Sequence, residues 1–313
     1  MIIDSHVHIW DESWCPAVFW DGLAARMAAV RRKKGEEENI HVRDIKKNLF
    51  QAYWDPDGSK LLAEMDDAGI DVSILLPSDV GFDLGEQPTS IWDQNRMIAE
   101  IANRNRSRFI PYVGVDPRRE EALRLLETGV KEWGCRGLKI NPTAGFYPND
   151  KKFYPLYQKA VELNVPVLSH SGGAIPPLKS KYAQPIHFDE IAADFPELKI
   201  ICAHMGHGWW LELNQLTEKH LNVYTDCSGW QFSASSYNQY FSHVMRHTLN
   251  LTGMDRVLFG TDSPSYRLTS LTTKKYLEVI RNLPQKTSES GNFTEEEIAN
   301  VLGGNAKRIM GIS

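Results

Sequence analysis

The sequence has few cysteines, and none of them are close together. Cys15, Cys135, Cys202 and Cys227 are scattered over 313 residues without a C-x-x-C pair. This spacing excludes a disulfide framework and is typical of reduced thiols in a cytosolic protein. The first residues also lack a basic segment followed by a long apolar one, so we expect no secretory signal and a cytoplasmic location.

Long apolar runs and long basic runs are missing as well. No run of 18 apolar residues occurs, which predicts that no segment spans a membrane. The net charge is −5, and the most basic stretch, residues 31–34, is followed by three glutamates at 36–38. We interpret this mixed stretch as a solvated helix or loop. The charge therefore predicts no nucleic-acid partner and leaves small molecules as the expected ligands.

Phosphate-binding loops are the third absence. No G-x-G-x-x-G follows the first predicted strand, and no Walker-type loop occurs. What the chain does contain is a regular alternation of short apolar strands with segments of helical period. The predicted strands are residues 2–4, 72–76, 109–115, 136–140, 165–169, 199–203, 222–225 and 256–260.

Eight strands alternating with helices predict an α/β protein with a parallel sheet, and eight is the number that closes a (β/α)₈ TIM barrel. An open, doubly wound sheet is the alternative. We find no linker of the kind that separates domains, so we predict a single domain over residues 1–313.

One connection is unusually long. Residues 9–58 separate the first strand from the first convincing helix, and part of this stretch, residues 22–34, has a helical composition. Connections of this length tend to be lids or binding segments. The stretch is rich in aromatic residues, namely Trp10, Trp14, Phe19, Trp20, Phe50, Tyr53 and Trp54. We predict a cap inserted after strand 1.

Histidines and one aspartate stand at the ends of four predicted strands. His6 and His8 follow the first strand, and because residues i and i+2 of an extended chain share a side, both imidazoles can converge. His170, His204 and Asp262 end strands five, six and eight. The carboxyl ends of barrel strands meet at one mouth. Imidazole and carboxylate ligands there predict a divalent metal ion, most readily zinc, with manganese or iron as alternatives.

These motifs resemble those of the amidohydrolase superfamily, in particular the amidohydrolase 2 family related to aminocarboxymuconate-semialdehyde decarboxylase. The resemblance extends from residue 2 to residue 312 with its motifs in the expected order. It rests on Asp4-Ser5-His6-Val7-His8, His170, Ala203-His204-Met205-Gly206, Gly260-Thr261-Asp262-Ser263-Pro264 and the closing Leu302-Gly303-Gly304-Asn305-Ala306-Lys307-Arg308-Ile309.

The resemblance implies a role for each residue. His6, His8, His170 and Asp262 would hold one metal ion. His204 would lie beside a water on the metal as general base or electrostatic partner, and an imidazole is suited to moving a proton near neutral pH. Asp262 would also carry a proton to the leaving group. The resemblance further suggests a homodimer or higher oligomer.

Two polar residues near strand ends have more than one interpretation. Lys139 is on strand four, where some branches of the superfamily have a carbamylated lysine that bridges two metals; another interpretation is that Lys139 binds a substrate carboxylate. We expect an unmodified lysine. Asp226, at the end of strand seven, is either a partner that fixes the tautomer of a ligand histidine or a turn residue.

Aromatic side chains are predicted to line the substrate pocket. Trp10, Trp14 and Trp20 come from the cap, and His207 and Trp209 follow strand six; with Lys139 they would bind a flat or cyclic small molecule. The alternative is that these tryptophans pack the cap onto the barrel.

Three functions are compatible with this sequence. The first is hydrolysis of a C–N or C–O bond in a small cyclic or aromatic substrate by a metal-activated water. The second is non-oxidative decarboxylation of an aromatic or enoic acid. By resemblance, Lys139 favours the first and the H-M-G-x-G pattern at residues 204–208 favours the second. The third is a metal-binding scaffold without catalysis, which the complete ligand set disfavours.

Overall fold

The strands form one closed parallel barrel. The computed structural model describes residues 1–33, 35, 39–267, 271–285 and 291–312. Neighbouring strands are parallel and follow the order of the chain in two hydrogen-bonded groups, β1-β2-β3 and β4 to β9. The strands are β1 (Ile3–Val7), β2 (Val72–Leu75), β3 (Phe109–Pro111), β4 (Val113–Gly114), β5 (Leu138–Ile140), β6 (Val167–Ser169), β7 (Ile200–Cys202), β8 (Val223–Asp226) and β9 (Val257–Leu258).

Two junctions join these groups into a barrel. The predicted strand 109–115 is divided at Tyr112, whose N–H donates to the Leu75 carbonyl at 3.0 Å, while the next N–H donates to Gly137 at 2.8 Å. The strand therefore pairs with β2 before this residue and with β5 after it. On the other side, the Ser5 N–H donates to the Phe259 carbonyl at 2.9 Å and joins β1 to the end of β9. The predicted (β/α)₈ barrel is confirmed, and the open sheet is excluded.

The first strand is longer than predicted. It runs over Ile3–Val7, so His6 lies inside the strand and only His8 follows it. The extension comes from pairing on both edges, because the His6 carbonyl accepts from the Asp262 N–H at 2.8 Å and Val7 pairs with Leu75. The segment His6-Val7-His8 is thus held by the barrel itself.

Helices surround the barrel. Two of the helical segments, Ile45–Leu49 and Asn300–Gly304, are single π-helical turns. The helices are α1 (Ala17–Lys33), α2 (Val42–Asp44), α3 (Phe50–Tyr53), α4 (Ser59–Ala68), α5 (Gly81–Leu84), α6 (Ile91–Arg104), α7 (Ala122–Lys131), α8 (Tyr154–Glu162), α9 (Asp189–Asp194), α10 (Trp210–Lys219), α11 (Gln231–Ser236), α12 (Asn238–Thr252), α13 (Thr273–Arg281), α14 (Glu295–Ala299) and α15 (Asn305–Met310). No helix in the described part of the chain has both the length and the apolar character needed to cross a bilayer.

The barrel interior is apolar and closed at one end. Ile3, Ile74, Leu168, Ile201 and Leu258 are buried together inside it. Ile309 and Met310 of α15 belong to the same cluster, so this last helix covers the end of the barrel opposite to the carboxyl ends of the strands. The polar residues at those carboxyl ends are therefore left at the single open mouth.

The segment 9–58 packs at this mouth. Its aromatic residues other than Trp14 form a separate cluster that also contains Val80, Ala144 and Leu178 from the loops after β2, β5 and β6. Gly22 of α1 permits a close approach to the last of these loops, since a Cβ there would lie 2.3 Å from the Pro176 carbonyl oxygen. The predicted helix 22–34 begins earlier, at Ala17. Residues 34 and 36–38, which include part of the basic stretch discussed above, lie outside the described residues.

Candidate active site

Four imidazole rings stand in a row across the mouth. The ring centres of His8 and His6 are 5.3 Å apart, those of His6 and His204 are 4.7 Å apart, and those of His204 and His170 are 4.7 Å apart. The structure therefore brings together all four histidines that the sequence placed at strand ends, and Asp262 lies beside His6 and His8.

His6 is completely buried and is fixed by one carboxylate. Its Nδ1 lies 2.9 Å from Asp226 Oδ2, and this partner requires a proton on Nδ1. The lone pair of a neutral His6 is then on Nε2, which is 3.2 Å from Lys139 Nζ and 3.7 Å from Asp262 Oδ1. Burial lowers the pKa of His6 to about 4, so the ring is neutral at pH 7.

His8 is oriented in the same way by a backbone group. Its Nδ1 donates to the Leu76 carbonyl at 2.6 Å, which leaves the Nε2 lone pair 3.5 Å from Asp262 Oδ1. Two nitrogen lone pairs and a carboxylate oxygen therefore face one another without a hydrogen between them, and their ligand atoms all lie within 4.8 Å of one another. Such a group is stabilised by a cation, so His6, His8 and Asp262 fit a divalent metal.

His170 stands apart from this group. Among the described residues, two sets of three side chains have ligand atoms within 4.8 Å of one another, His6 with His8 and Asp262, and His6 with His204 and Asp226. Neither contains His170, whose Nδ1 instead lies 3.1 Å from His204 Nε2. The predicted fourth ligand is thus at the mouth but is hydrogen-bonded to the predicted base, and its role as ligand stays a prediction.

The hydrogen bonds of His204 define its tautomer. Its Nδ1 lies 2.7 Å from Ser228 Oγ and 3.2 Å from the Ser228 carbonyl. The carbonyl can only accept, and the Ser228 hydroxyl donates to Asp226, so Nδ1 carries the proton. Nε2 then has the lone pair and accepts from His170 Nδ1. Burial, assisted by the neighbouring His6, lowers the pKa of His204 to about 3.

Asp226 connects the two inner residues of the row, His6 and His204. One of its oxygens binds His6, and the other accepts from the His204 N–H at 3.0 Å, the Ser228 N–H at 3.0 Å and the Ser228 hydroxyl. Burial alone would raise the pKa of Asp226, but its interaction with His6 and these hydrogen bonds hold it well below the ordinary value. Of the two interpretations of Asp226, these contacts are those of a residue that fixes histidine tautomers.

Ser228 is the site residue to which sequence reasoning gave no role. Asp226 and Ser228 have the same i, i+2 spacing at the end of a strand as His6 and His8, and this spacing was the signal that could have identified the pair. A serine at a strand end is too common for that signal to stand out without the histidine that it binds.

Two site residues have left-handed backbone conformations, which are uncommon outside glycine. His204 has φ of 62° and Asp262 has φ of 56°. Each is held by a hydrogen bond from its own N–H, to Asp226 and to the His6 carbonyl respectively. Strained residues of this kind cluster at functional sites because surrounding contacts over-determine them. The backbone here directs both side chains into the mouth.

Lys139 is buried beneath the ligand group with only 3% of its surface exposed. Burial lowers the pKa of its ammonium group to about 8. The contact with His6 Nε2 uses one of its three N–H donors, which leaves the others able to bind an anion.

The aromatic residues predicted to line the pocket fall into two groups. Trp10 stacks near His8, with ring centres 6.3 Å apart, and His207 and Trp209 are at least partly accessible in the segment after β7. By contrast, Trp14 is buried in the main barrel core and Trp20 lies inside the cap cluster, where its Nε1 donates to the Glu12 carbonyl at 2.8 Å. The contacts of Trp14 and Trp20 are those of packing residues, which was the alternative interpretation.

Comparison with known proteins agrees with this geometry. A family model described as amidohydrolase matches residues 3–312. A 2-keto-4-carboxy-3-hexenedioate hydratase from a Sphingobium species is 32% identical over 165 residues, which cover 44% of this chain and 48% of the relative. The chain thus matches only about half the length of that relative.

Solved structures share the fold. A 5-carboxyvanillate decarboxylase from Novosphingobium aromaticivorans, with bound manganese and 3-methoxy-4-hydroxy-5-nitrobenzoic acid, superimposes with a TM-score of 0.69 at 18% identity over 100% of this chain and 97% of that one. An amidohydrolase from Burkholderia multivorans with bound zinc gives 0.69 at 16% identity over the full length of both chains. At these identities the likeness establishes the barrel fold.

Proposed function

Because the chain belongs to the amidohydrolase family and is therefore a metal-dependent enzyme, we propose that it is a hydrolase of C–N or C–O bonds in small cyclic or aromatic substrates. The observation that supports water activation is the tautomer of His204. Its Nε2 is unprotonated because Nδ1 holds the proton that faces the Ser228 carbonyl, and its ring lies 4.7 Å from that of His6 in the proposed ligand group. A neutral imidazole in this position is a proton acceptor.

The proposed metal ligands are His6, His8 and Asp262, with His170 as the fourth. Zinc is our first choice from the two imidazoles and one carboxylate, and manganese or iron is the alternative. When bound, a divalent ion lowers the pKa of water and polarises a carbonyl group.

The remaining chemistry belongs to side chains of this protein. His204 accepts the proton of the attacking water at Nε2. Ser228, which is bonded to Nδ1 and itself donates to Asp226, stabilises the imidazolium that forms. The remaining hydroxyl adds to the carbonyl carbon, and Asp262 passes the proton of that hydroxyl to the leaving group as the C–N or C–O bond breaks; His204 then releases the first proton to solvent. The Lys139 ammonium group binds an anionic part of the substrate, and Trp10 presents an aromatic face beside His8.

Decarboxylation of an aromatic or enoic acid is the second candidate. It is supported by the H-M-G-x-G pattern after β7 and by the fold shared with a 5-carboxyvanillate decarboxylase. It requires a protonated group that delivers H⁺ to carbon, and the low pKa of His204 disfavours that role for this residue. The partial match to a hydratase instead supports chemistry that begins with water.

The test is a substrate panel in H₂¹⁸O. Protein loaded with zinc or manganese is incubated with lactones, cyclic amides, unsaturated keto dicarboxylates and hydroxybenzoates, while ring opening, loss of the C=C absorbance and CO₂ release are followed together. We expect ring opening with one ¹⁸O atom incorporated into the product. Metal-stripped protein is the control.

The panel also identifies the competing reactions. Release of CO₂ from a hydroxybenzoate without ¹⁸O uptake would replace the hydrolase proposal by the decarboxylase. Loss of the C=C absorbance with ¹⁸O in the product would retain the role of His204 but change the reaction class to hydration.

A further inference from the structure

A partly buried ion pair lies next to the proposed ligand Asp262. Arg267 Nε donates to Glu64 Oε1 at 2.7 Å, and its NH2 group donates to Glu64 Oε2 at 3.3 Å. The other guanidinium nitrogen donates to the Ala52 carbonyl of the cap at 3.0 Å. Ser263, which follows Asp262 in the chain, donates its hydroxyl to Glu64 Oε2 at 2.7 Å. One pair thus joins α4, the cap and the loop after β9.

We propose that Glu64 and Arg267 act as a clamp that positions Asp262 and couples its position to the docking of the cap. Both are positioning residues, since their contacts reach the ligand through Ser263 and the cap through Ala52. The proposal rests on the proposed function, in which Asp262 is a metal ligand.

The contact with Ser263 acts directly on the ligand position. Asp262 has the left-handed conformation described above, and on one side it is held by its N–H bond to the His6 carbonyl. On its other side the Ser263 side chain is bound to Glu64. A carboxylate ligand must stay within a few tenths of an ångström of its place, and partners of this kind commonly change metal affinity by about 10- to 100-fold.

The contact between Arg267 and the cap is also connected to the proposed metal site. The Ala52 carbonyl lies in α3, and the following Asp55 N–H donates to the Trp10 carbonyl at 2.7 Å. The Trp10 ring lies over His8, the second proposed ligand. A change at Arg267 is therefore transmitted to the ligand group by two routes, through Ser263 to Asp262 and through the cap to Trp10.

The burial of the pair makes it sensitive to substitution. The side chain of Arg267 is 11% exposed and that of Glu64 is 22% exposed. Removing either partner of this bidentate ion pair breaks the contacts that join the three segments, and without Glu64 the guanidinium keeps, among the described residues, only the more distant carboxylate of Asp55, 3.8 Å from its NH2 group. Because the two residues act as one unit, the double substitution should cost no more than the worse single one.

The experiment measures metal affinity and hydrogen exchange in Glu64→Gln, Arg267→Met and the double variant. We expect the dissociation constant for zinc to rise about 10- to 100-fold in all three, to a similar extent. Backbone amides of residues 50–55 should exchange faster, because the cap opens more easily. Ser263→Ala removes only the link to Asp262, and should weaken zinc binding about tenfold without changing exchange in the cap.

Arg246 and Glu297 form a matched control pair. They are bidentate at 2.7 and 2.9 Å with side chains 8% and 14% exposed, and they join α12 to α14 near residues 292–294. Arg246→Met and Glu297→Gln should lower thermal stability but leave zinc affinity and cap exchange unchanged.

The outcomes separate this inference from the proposed function. If the wild-type protein binds no divalent metal, the proposed function and the clamp fail together. If the wild type binds zinc, and the clamp variants bind it equally tightly with unchanged cap exchange, the clamp alone is overturned. Should the clamp variants fold poorly, Ser263→Ala decides the link to Asp262, since unchanged affinity in that variant contradicts it.

Discussion

The two halves of the row of imidazoles differ in what their nitrogens bind. On the side of β1 and β9, His6 and His8 each donate Nδ1 to a fixed protein acceptor and direct Nε2 at Asp262. On the side of β6 and β7, His170 and His204 are hydrogen-bonded to each other. The first pair has its lone pairs gathered at one point, whereas in the second pair one ring donates a hydrogen bond to the other.

The difference indicates a division of labour. A metal site needs neutral imidazoles whose other nitrogen is held by an acceptor, which is the arrangement on the first side. Proton transfer needs an imidazole with one unprotonated nitrogen that can gain a proton while its other nitrogen is held by a partner that stabilises the charge, and Ser228 backed by Asp226 is such a partner for His204. Asp226 contacts both halves, so the proposed ligand site and the proposed base share one buried anion.

The largest effect should follow substitution on the first side. We expect His8→Ala to lose the bound metal and all activity, because it removes one of three ligand atoms gathered at a point. The barrel should stay folded, since His8 lies after β1 at the mouth and not in the apolar interior. Metal analysis, together with circular dichroism and the thermal shift induced by added zinc, checks both parts.

The control for that substitution is His243→Ala, which changes an exposed histidine on α12. It should retain about one metal ion per chain. Metal retention by His8→Ala at wild-type levels would show that the group of His6, His8 and Asp262 is not the metal site.

The next prediction concerns the side of β6 and β7 and uses the substitution His204→Asn. This variant should keep its metal but lose about 10²- to 10⁴-fold in turnover, the range typical of removing a general base. The pH–rate profile should also lose the limb that reports this base. If the variant instead loses its metal, the second group of His6, His204 and Asp226 is the ligand set, and the division between the two halves is wrong.

Asp226→Asn should affect both halves at once, with a smaller effect on each. The amide keeps the shape but removes the charge, so His6 and His204 both lose the anion that orients them. We expect metal affinity to fall about 10- to 100-fold, with a lower turnover at saturating metal. Asp116→Asn is a control, since Asp116 is equally buried but is paired with Arg118, and its substitution should cost stability only.

Sequence patterns could predict the barrel and the first half of this comparison for physical reasons. Parallel strands place their carboxyl ends at one mouth, so residues such as His6, His8, His204 and Asp262 are brought together by the fold whatever the loops do. The i, i+2 spacing in an extended strand also places the side chains of His6 and His8 on the same side of the strand. These relations depend only on local backbone geometry, which the sequence encodes strongly.

The sequence patterns could not predict which groups the ring nitrogens bind. His8 is fixed by the Leu76 carbonyl, a backbone atom that no residue type signals, and His204 is fixed by Ser228 from the next strand. The burial of Trp14 and Trp20 depends on how a 50-residue insertion packs. His170 shows the same limit, because a strand end fixes the position of a residue but leaves its rotamer to the neighbours.

The smallest effect concerns Lys139, which contacts His6 on the side of β1 and β9. The folded pKa of about 8 lies below the ordinary 10.5, so between these pH values the unfolded chain binds more protons than the folded one. The free energy of unfolding due to this group must then rise with pH from 8 to 10.5, by up to about 3 kcal/mol. Buried tyrosines and cysteines oppose this rise, because burial raises the pKa of groups such as Tyr112 and Cys202. The effect of Lys139 is therefore seen in the difference between wild type and Lys139→Met.

The measurement is denaturant unfolding of metal-stripped protein at pH 7.5, 9 and 10.5. The stability of the wild type minus that of Lys139→Met should increase over this range, and a substitution of the exposed Lys47 should show no such increase. A flat difference would mean that the lysine is not a buried ammonium group. A carbamylated lysine would give that result, and it would also give activity that depends on bicarbonate and two metal ions about 3.5–4 Å apart. In that case Lys139 would itself be a ligand, and the first half of the site would hold two ions.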